Sequence, residues 1–211
     1  MGIREVIRPV VRPAVFLDRD GVLNPTVLNS ATGRMESPLR PQDFRLIDGV
    51  VPALLLLQSA GYPLILVSNQ PNYALGKSSY QTLRIIQHKL ATQLDAAGIH
   101  FTRFCYCLHH PKGLTPGYSD VCECRKPSPG FLLRARDDFG LTLSDSWMIG
   151  DQPTDMQCGR TAGVRTIRIA PPDFGDKSRA RPTLQISDPC ADYLVTNLTE
   201  AAEIVLSRAV D

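Results

Sequence analysis

The stretch AVFLDRDGVLN, residues 14–24, decides the fold. Ala14, Val15, Phe16 and Leu17 form a short uninterrupted apolar run, the signature of a strand buried on both faces. The run stops at Asp18, Arg19, Asp20 and Gly21, which puts two carboxylates directly at the carboxyl end of a buried strand. Two readings fit this stretch alone. The pair can cap a turn with Arg19 exposed, or it can face a ligand, because ligands of open parallel sheets sit outside the carboxyl ends of the strands.

Working outward, strand and helix alternate. Residues 49–60 (GVVPALLLLQSA) read as a helix stopped by Gly61, and 63–67 (PLILV) as a second buried strand. A long amphipathic helix spans about 78–97, and a third strand spans 103–107. Residues 128–139 read as a helix opened by Ser128 as cap and Pro129 in the first turn. A strand at 147–149, a helix reaching Ala162, a strand at 164–169, a short strand at 193–196 and a closing helix at 198–209 complete the chain. This order predicts an α/β fold with a doubly wound parallel sheet, in a single domain over residues 1–211. Segments 25–45, 108–127 and 170–190 read as irregular, the last as a surface loop rich in Pro and charge.

Composition narrows the classes. With 211 residues, 43% of them hydrophobic, the chain can bury a sizeable core. A net charge of +2 makes no global case for nucleic acid or membrane surfaces as partners. No run of 18 apolar residues occurs, MGIREVIRPVVRP lacks a signal-like segment, and Val6 stands where a myristoylation motif needs Ser or Thr. The expectation is a soluble, cytoplasmic monomer whose partner is a small molecule. In that setting six cysteines favour metal binding or free thiols over disulfides.

Four sites at strand ends or helix starts carry polar residues suited to one chemistry: Asp18 and Asp20; Ser68, Asn69 and Gln70; Arg125 and Lys126; and Asp151 with Asp155. Asp18 can attack phosphorus to give an acyl phosphate that water then hydrolyses. Asp18 and Asp151 can hold the Mg²⁺ that such a step needs. Asp20 can protonate the leaving oxygen and later activate water. Ser68 and nearby N–H groups suit phosphate oxygens, and Lys126 supplies a fixed positive charge.

FLDRDGVLN, LILVSNQ, CRKPSPG and MIGDQPTDM resemble the four ordered motifs of the haloacid dehalogenase (HAD) superfamily of phosphatases, over residues 14 to about 169. The resemblance implies a Rossmann-like core and the catalytic set Asp18 (nucleophile), Asp20 (general acid/base), Ser68 and Lys126. It also implies Mg²⁺ on Asp18, Asp151 and the backbone carbonyl of Asp20, with Asp155 in support. The intervals between motifs leave no room for a separate cap domain, which favours a sugar phosphate or similarly sized phosphoester.

CLHHPKGLTPGYSDVCEC holds Cys107-x-His109 and Cys122-x-Cys124, with 12 residues between His109 and Cys122. Two close pairs of soft or borderline ligands suit tetrahedral Zn²⁺, which would staple a loop at about 105–126 that has little apolar content. Cys105 and His110 compete as ligands. Cys105 shares a strand face with Cys107 and suits the core, and His110 can face solvent or substrate. Cys158 and Cys190 have no neighbours at ligand spacing and read as structural.

A zinc loop just before Arg125 is similar to the branch of the superfamily containing D-glycero-D-manno-heptose 1,7-bisphosphate and histidinol-phosphate phosphatases. The long spacer and HHPKG look more like the heptose enzymes. This implies a structural zinc, substrate contacts from Asn69, Gln70 and Arg125, and release of the 7-phosphate. The alternatives are a histidinol-phosphate or other small-metabolite phosphatase, or a noncatalytic zinc-stabilised module. One departure bears on substrate: where that branch continues Ser-Gly-Ile-x-Arg-Gly after SNQ, this chain has PNYALG, with Leu75 at the arginine position and Lys77 two residues on. Arginine and lysine are not equivalent at a bidentate phosphate site. The segment 24–40 is also longer than the usual flap.

Overall fold

A computed structural model describes residues 12–30, 32–170 and 191–208. The surface loop expected at 170–190, Cys190 and the last residue of the closing helix thus lie largely or wholly outside the described residues. In chain order the elements are β1 (Val15–Leu17), β2 (Val27–Asn29), β3 (Arg34–Glu36), α1 (Val50–Ser59), β4 (Leu64–Asn69), α2 (Tyr80–Ala96) and β5 (Phe101–Cys107). They continue with α3 (Gly130–Phe139), β6 (Trp147–Gly150), α4 (Pro153–Ala162), β7 (Arg165–Ile169), β8 (Tyr193–Val195) and α5 (Leu198–Ser207).

The main sheet has the order β5-β4-β1-β6-β7-β8, and its neighbouring strands all run parallel. From β1 the chain winds outward through β4 and β5, then returns to the other flank of β1 as β6. Right-handed crossovers of opposite direction place their helices on opposite faces. The two apolar clusters follow that rule: α1 and α2 pack with α5 on one face, α3 and α4 on the other. Along β1, Val15 and Leu17 enter the first cluster while Ala14 and Phe16 enter the second. Burial on both faces is why this strand carries no polar alternation. The order reverses at β1, so the crevice at its carboxyl end is the topological switch point.

Three local expectations need correction. Segment 25–45 is not irregular throughout: β2 and β3 pair antiparallel, Leu28 opposite Met35, as a hairpin standing off the sheet. Its strands are three residues each and too short to show a period. Helix α3 is capped by Pro129 without a side-chain hydrogen bond, whereas Ser128 closes a turn by donating its N–H to the Arg125 carbonyl (2.8 Å). β5 begins at Phe101, where Phe101 stacks on Phe104 (5.0 Å) and pairs with Leu64 of β4. No unit of domain size interrupts the described core; the hairpin and α1 fill the interval between β1 and β4.

Phe16→Ala should cost about 3–5 kcal/mol, because it empties a fully buried site in the central strand. Leu28→Ala, on the hairpin at 67% exposure, should stay within about 0.5 kcal/mol. Urea unfolding of the two variants checks the contrast.

Candidate active site

The Asp18 N–H donates to the Ile149 carbonyl (2.9 Å), so the ladder between β1 and β6 fixes the first carboxylate. The chain then turns at Gly21, whose φ is +81°. A Cβ there would stand 2.4 Å from Asp151 Oδ2, so both the backbone angle and the space require glycine. The turn closes with Leu23 N–H on the Arg19 carbonyl (2.8 Å) and Gly21 N–H on that of Asn24 (2.7 Å). Gly150, ending β6, leaves room for Asp155 in the same way, since a Cβ would lie 2.3 Å from that carboxylate.

Lys126, 3% exposed, reaches into the switch point. Its Nζ lies 2.8 Å from Asp18 Oδ1 and 2.7 Å from Asp155 Oδ1, and donates to the Val67 carbonyl at 2.6 Å. Asn69 clamps the Lys126 backbone from both sides, donating to its carbonyl (3.0 Å) and accepting from its N–H (3.1 Å). Asp18, Asp151 and Asp155 bring carboxylate oxygens within 4.8 Å of one another. Buried Oδ1 atoms of all three receive no directed hydrogen bond, although two of them are ion-paired with Lys126.

One ammonium against three carboxylates leaves two formal negative charges in a largely buried pocket. An all-oxygen donor set with that charge suits a hard divalent cation. The electrostatics agree. Burial pushes Asp18 up to about 7 against the pull of Lys126, with Asp155 and Asp20 adding to the rise. Burial likewise pushes Asp151 up to about 6, despite a hydrogen bond from Gln152. Lys126 is held above its ordinary range, because Asp155 and Asp18 outweigh the cost of its burial.

Asp20 sits in a different environment. Its Oδ1 accepts from Arg19 Nε (3.2 Å), Arg19 Nη2 (3.0 Å) and Asn24 Nδ2 (2.9 Å). Its Oδ2 accepts from Gln70 Nε2 (2.6 Å), Ser37 Oγ (2.8 Å) and again Arg19 Nη2 (3.1 Å). Burial raises its pKa, yet Arg19 and these donors more than offset that and hold it below the ordinary range. Arg19 is therefore not exposed, as a capped turn would leave it, but wholly buried. Gln70, expected to touch substrate, is also wholly buried and spends its amide on Asp20, Ser68 (3.0 Å) and Arg19 (2.9 Å). Ser68 lies behind the wall of the site, 1% exposed.

Asp18, Asp20, Lys126, Asp151 and Asp155 form the floor of a cleft of about 580 Å³. Asn69 and Arg125 line one side, and Arg125 Nη1 donates to the His109 carbonyl (3.1 Å). The hairpin supplies Arg34, Met35, Glu36 and then Ser37, facing Asn72, Leu75 and Lys77. Lys77 Nζ reaches both Glu36 carboxylate oxygens at 2.8 Å and so ties the two walls together. Neither Ser37 nor this ion pair carries a sequence signal, because hairpin register brings them in. Arg19 does carry one: a cation between two aspartates at a strand end.

Cys107, His109, Cys122 and Cys124 converge beside the cleft. The three sulfurs are 3.2–3.5 Å apart, and His109 Nδ1 lies 3.8 Å from Cys107 Sγ and 3.6 Å from Cys124 Sγ. Those spacings exceed the roughly 2 Å of a disulfide and approach the edge of a tetrahedral zinc site, about 3.7 Å for a Zn–S bond of about 2.3 Å. Cys105 and Cys158 are buried in the core, and His110 Nδ1 accepts from the Lys112 N–H (3.0 Å). The loop leans on residues 71–77 through Leu114 N–H to the Ala74 carbonyl (2.6 Å) and a Tyr73–Tyr118 edge contact (5.0 Å).

The model of the HAD-hydrolase-like family matches residues 123–201. A D-glycero-beta-D-manno-heptose-1,7-bisphosphate 7-phosphatase of Yersinia pestis is 30% identical, covering 93% of this chain and 96% of its own. That of Vibrio cholerae is 38% identical, covering 74% and 80%. Among solved structures, a D,D-heptose 1,7-bisphosphate phosphatase of B. bronchiseptica complexed with magnesium and phosphate superposes with a TM-score of 0.71. It is 22% identical and covers 93% of this chain and 99% of that one, a likeness of fold. The chain belongs to the HAD-like hydrolases. Within them it is a phosphatase, a phosphoric monoester hydrolase.

The pKa shifts fix how stability depends on pH without metal. The folded state holds the protons of Asp18 and Asp151 more tightly than the unfolded chain does. Their contribution is therefore full near about pH 4 and is lost as pH rises through about 6 and about 7. Asp20 runs oppositely, stabilising above the ordinary carboxylate range and losing that as pH falls. Chelator-treated protein should melt lower at about pH 8 than at about pH 5, and millimolar Mg²⁺ should restore the melting temperature chiefly at the higher pH. Calorimetric scans decide it: an equal Mg²⁺ effect at both values contradicts a carboxylate cation site.

Proposed function

We propose that this phosphatase releases the 7-phosphate of D-glycero-D-manno-heptose 1,7-bisphosphate, through an aspartyl-phosphate on Asp18, and that residues 1–211 act as one domain. The observation that carries the reading is the placement of two unlike aspartates at one switch point. Asp18 shares a pocket with Lys126, Asp151 and Asp155, while Asp20 is held apart by its own donors. The names of the relatives supply the substrate.

In the first half-reaction an Asp18 oxygen attacks phosphorus and the bond from phosphorus to the sugar oxygen breaks. Asp20, ionised in the free site because Arg19 and its other donors hold it low, takes up a proton from solvent as the negatively charged phosphate enters beside it and gives that proton to the sugar oxygen. In the second, water attacks the phosphorus of the acyl phosphate, Asp20 takes its proton, and Asp18 leaves as carboxylate. Lys126 and Arg125 hold positive charge against the transferring phosphoryl oxygens, while Ser68, behind the wall, holds the Gln70 amide rather than phosphate. Mg²⁺ on Asp18, Asp151 and the Asp20 carbonyl would neutralise charge between nucleophile and phosphate. Zn²⁺ on Cys107, His109, Cys122 and Cys124 would be structural, fixing the strand-to-loop path that delivers Arg125 and Lys126.

Asp18→Asn keeps the shape but loses the nucleophile, so turnover should vanish while the melting curve stays cooperative. Purified wild-type enzyme should hydrolyse the heptose bisphosphate well above histidinol phosphate. Near-normal turnover by the variant sinks the mechanism, and a preference for histidinol phosphate sinks the substrate assignment.

Zinc content separates the thiols. Elemental analysis should find about one Zn²⁺ per chain, lost in Cys122→Ser together with stability and activity, and retained in Cys105→Ser. Zinc that disappears with Cys105 but survives without Cys122 would reverse the assignment.

A further inference from the structure

The mechanism above gives no task to the most deeply buried cation among the described residues. Arg19 is 0% exposed, with Nε and Nη2 forked onto Asp20 and Nη2 also on Gln70 Oε1 (2.9 Å), while its Nη1 has no hydrogen-bond partner. A buried ion pair is weak support for a fold, and one with an unsatisfied donor is weaker still. Packing does not account for it. What the arrangement does is aim a carboxylate: Asp20 receives donors from four side chains, and three of them (Arg19, Asn24 and Gln70) are fully buried beneath it. The fourth, Ser37, lines the cleft.

We propose that Arg19 and Gln70 are positioning residues for the proton-transfer step. They lock the Asp20 carboxylate from below in the one orientation that meets the leaving oxygen. The guanidinium fork fixes the carboxylate plane, since two parallel N–H donors define a direction that a point charge cannot. The Gln70 amide fixes the second oxygen and is in turn held by Ser68 and by Arg19. The chain thereby couples the end of β4 to the turn after β1, and the acid/base group needs no reorientation when substrate arrives. Proton transfer to a sugar oxygen depends on this aim; loss of a phenolate, which leaves without a proton, does not.

This inference rests on Asp20 being the acid/base, and the leaving group separates the two claims. Wild type, Asp20→Asn, Arg19→Lys and Gln70→Leu are compared under saturating Mg²⁺, after melting curves establish folding. The sugar phosphate that the wild type turns over is measured alongside the first-turnover burst of p-nitrophenyl phosphate. In Arg19→Lys and Gln70→Leu, kcat on the sugar phosphate should fall by about 10–10²-fold, with KM and the p-nitrophenolate burst rate each within about threefold. Proportional losses on both substrates, or no loss on either, overturn the proposal. Failure of both variants to fold overturns it too, by assigning the pair to the core. If Asp20→Asn itself shows no leaving-group dependence, the acid/base reading fails first. If it does and the other two do not, only the positioning role fails.

Discussion

A single buried ammonium organises this molecule. Lys126 meets Asp18 after β1, the Val67 carbonyl of β4 and Asp155 of α4, so one side chain joins three segments that are remote in sequence. Its burial is tolerable only because those acceptors are there, and the two carboxylates are tolerable only because of it. Removing one partner of such a cluster leaves an uncompensated buried charge, typically at about 3–5 kcal/mol. The same cluster sets the charge left for a cation, since Asp151 adds a third carboxylate that Lys126 cannot also neutralise. Fold and metal chemistry therefore share a constraint: the switch point closes around acidic groups that need positive charge beyond what the chain supplies there.

Two kinds of donor lie close together without competing. Carboxylate oxygens gather at the crevice, and thiols with one imidazole gather at the end of β5 and in the loop that follows. Hard and soft ligands sort cations by chemistry rather than by distance. Their spacing in sequence is short, since Cys124 stands two residues before Lys126. An ordered thiol cluster thus limits how far the lysine backbone can wander, and the bidentate clamp by Asn69 finishes the placement.

The parts legible in the sequence are those where local pattern and tertiary position coincide. Apolar runs followed by Asp18, Ser68 and Asp151 mark strand ends, and in a doubly wound sheet strand ends converge whatever the loops do. The paired Cys and His spacings are local for the same reason, and all four groups meet as expected. Arg19 and Gln70 were harder to read, because a polar residue beside a motif reads as solvent-facing or substrate-facing unless its buried acceptor is known. That acceptor, Asp20, is next to Arg19 in sequence but 50 positions from Gln70. The hairpin was harder again: its strands are too short for a period, and Ser37 and Glu36 gain meaning only from partners at positions 20 and 77.

The outer wall is where this chain parts from the pattern it otherwise follows. On the proposed reading the floor performs chemistry common to any phosphoester, so discrimination falls to the hairpin and to residues 71–77. There Leu75 stands where the family resemblance leads one to expect an arginine, and a cation stands instead at Lys77. Its charge is already engaged, because Glu36 holds it with both oxygens while Thr32 and Asn29 hold Glu36. Arg34 and Arg125 are then the cations of the cleft wall without a carboxylate partner among the ion pairs described. On that reading the far end of a sugar phosphate would meet its cations on the hairpin and at the end of the Cys/His loop rather than on the loop after β4, while the floor stays as the motifs dictate.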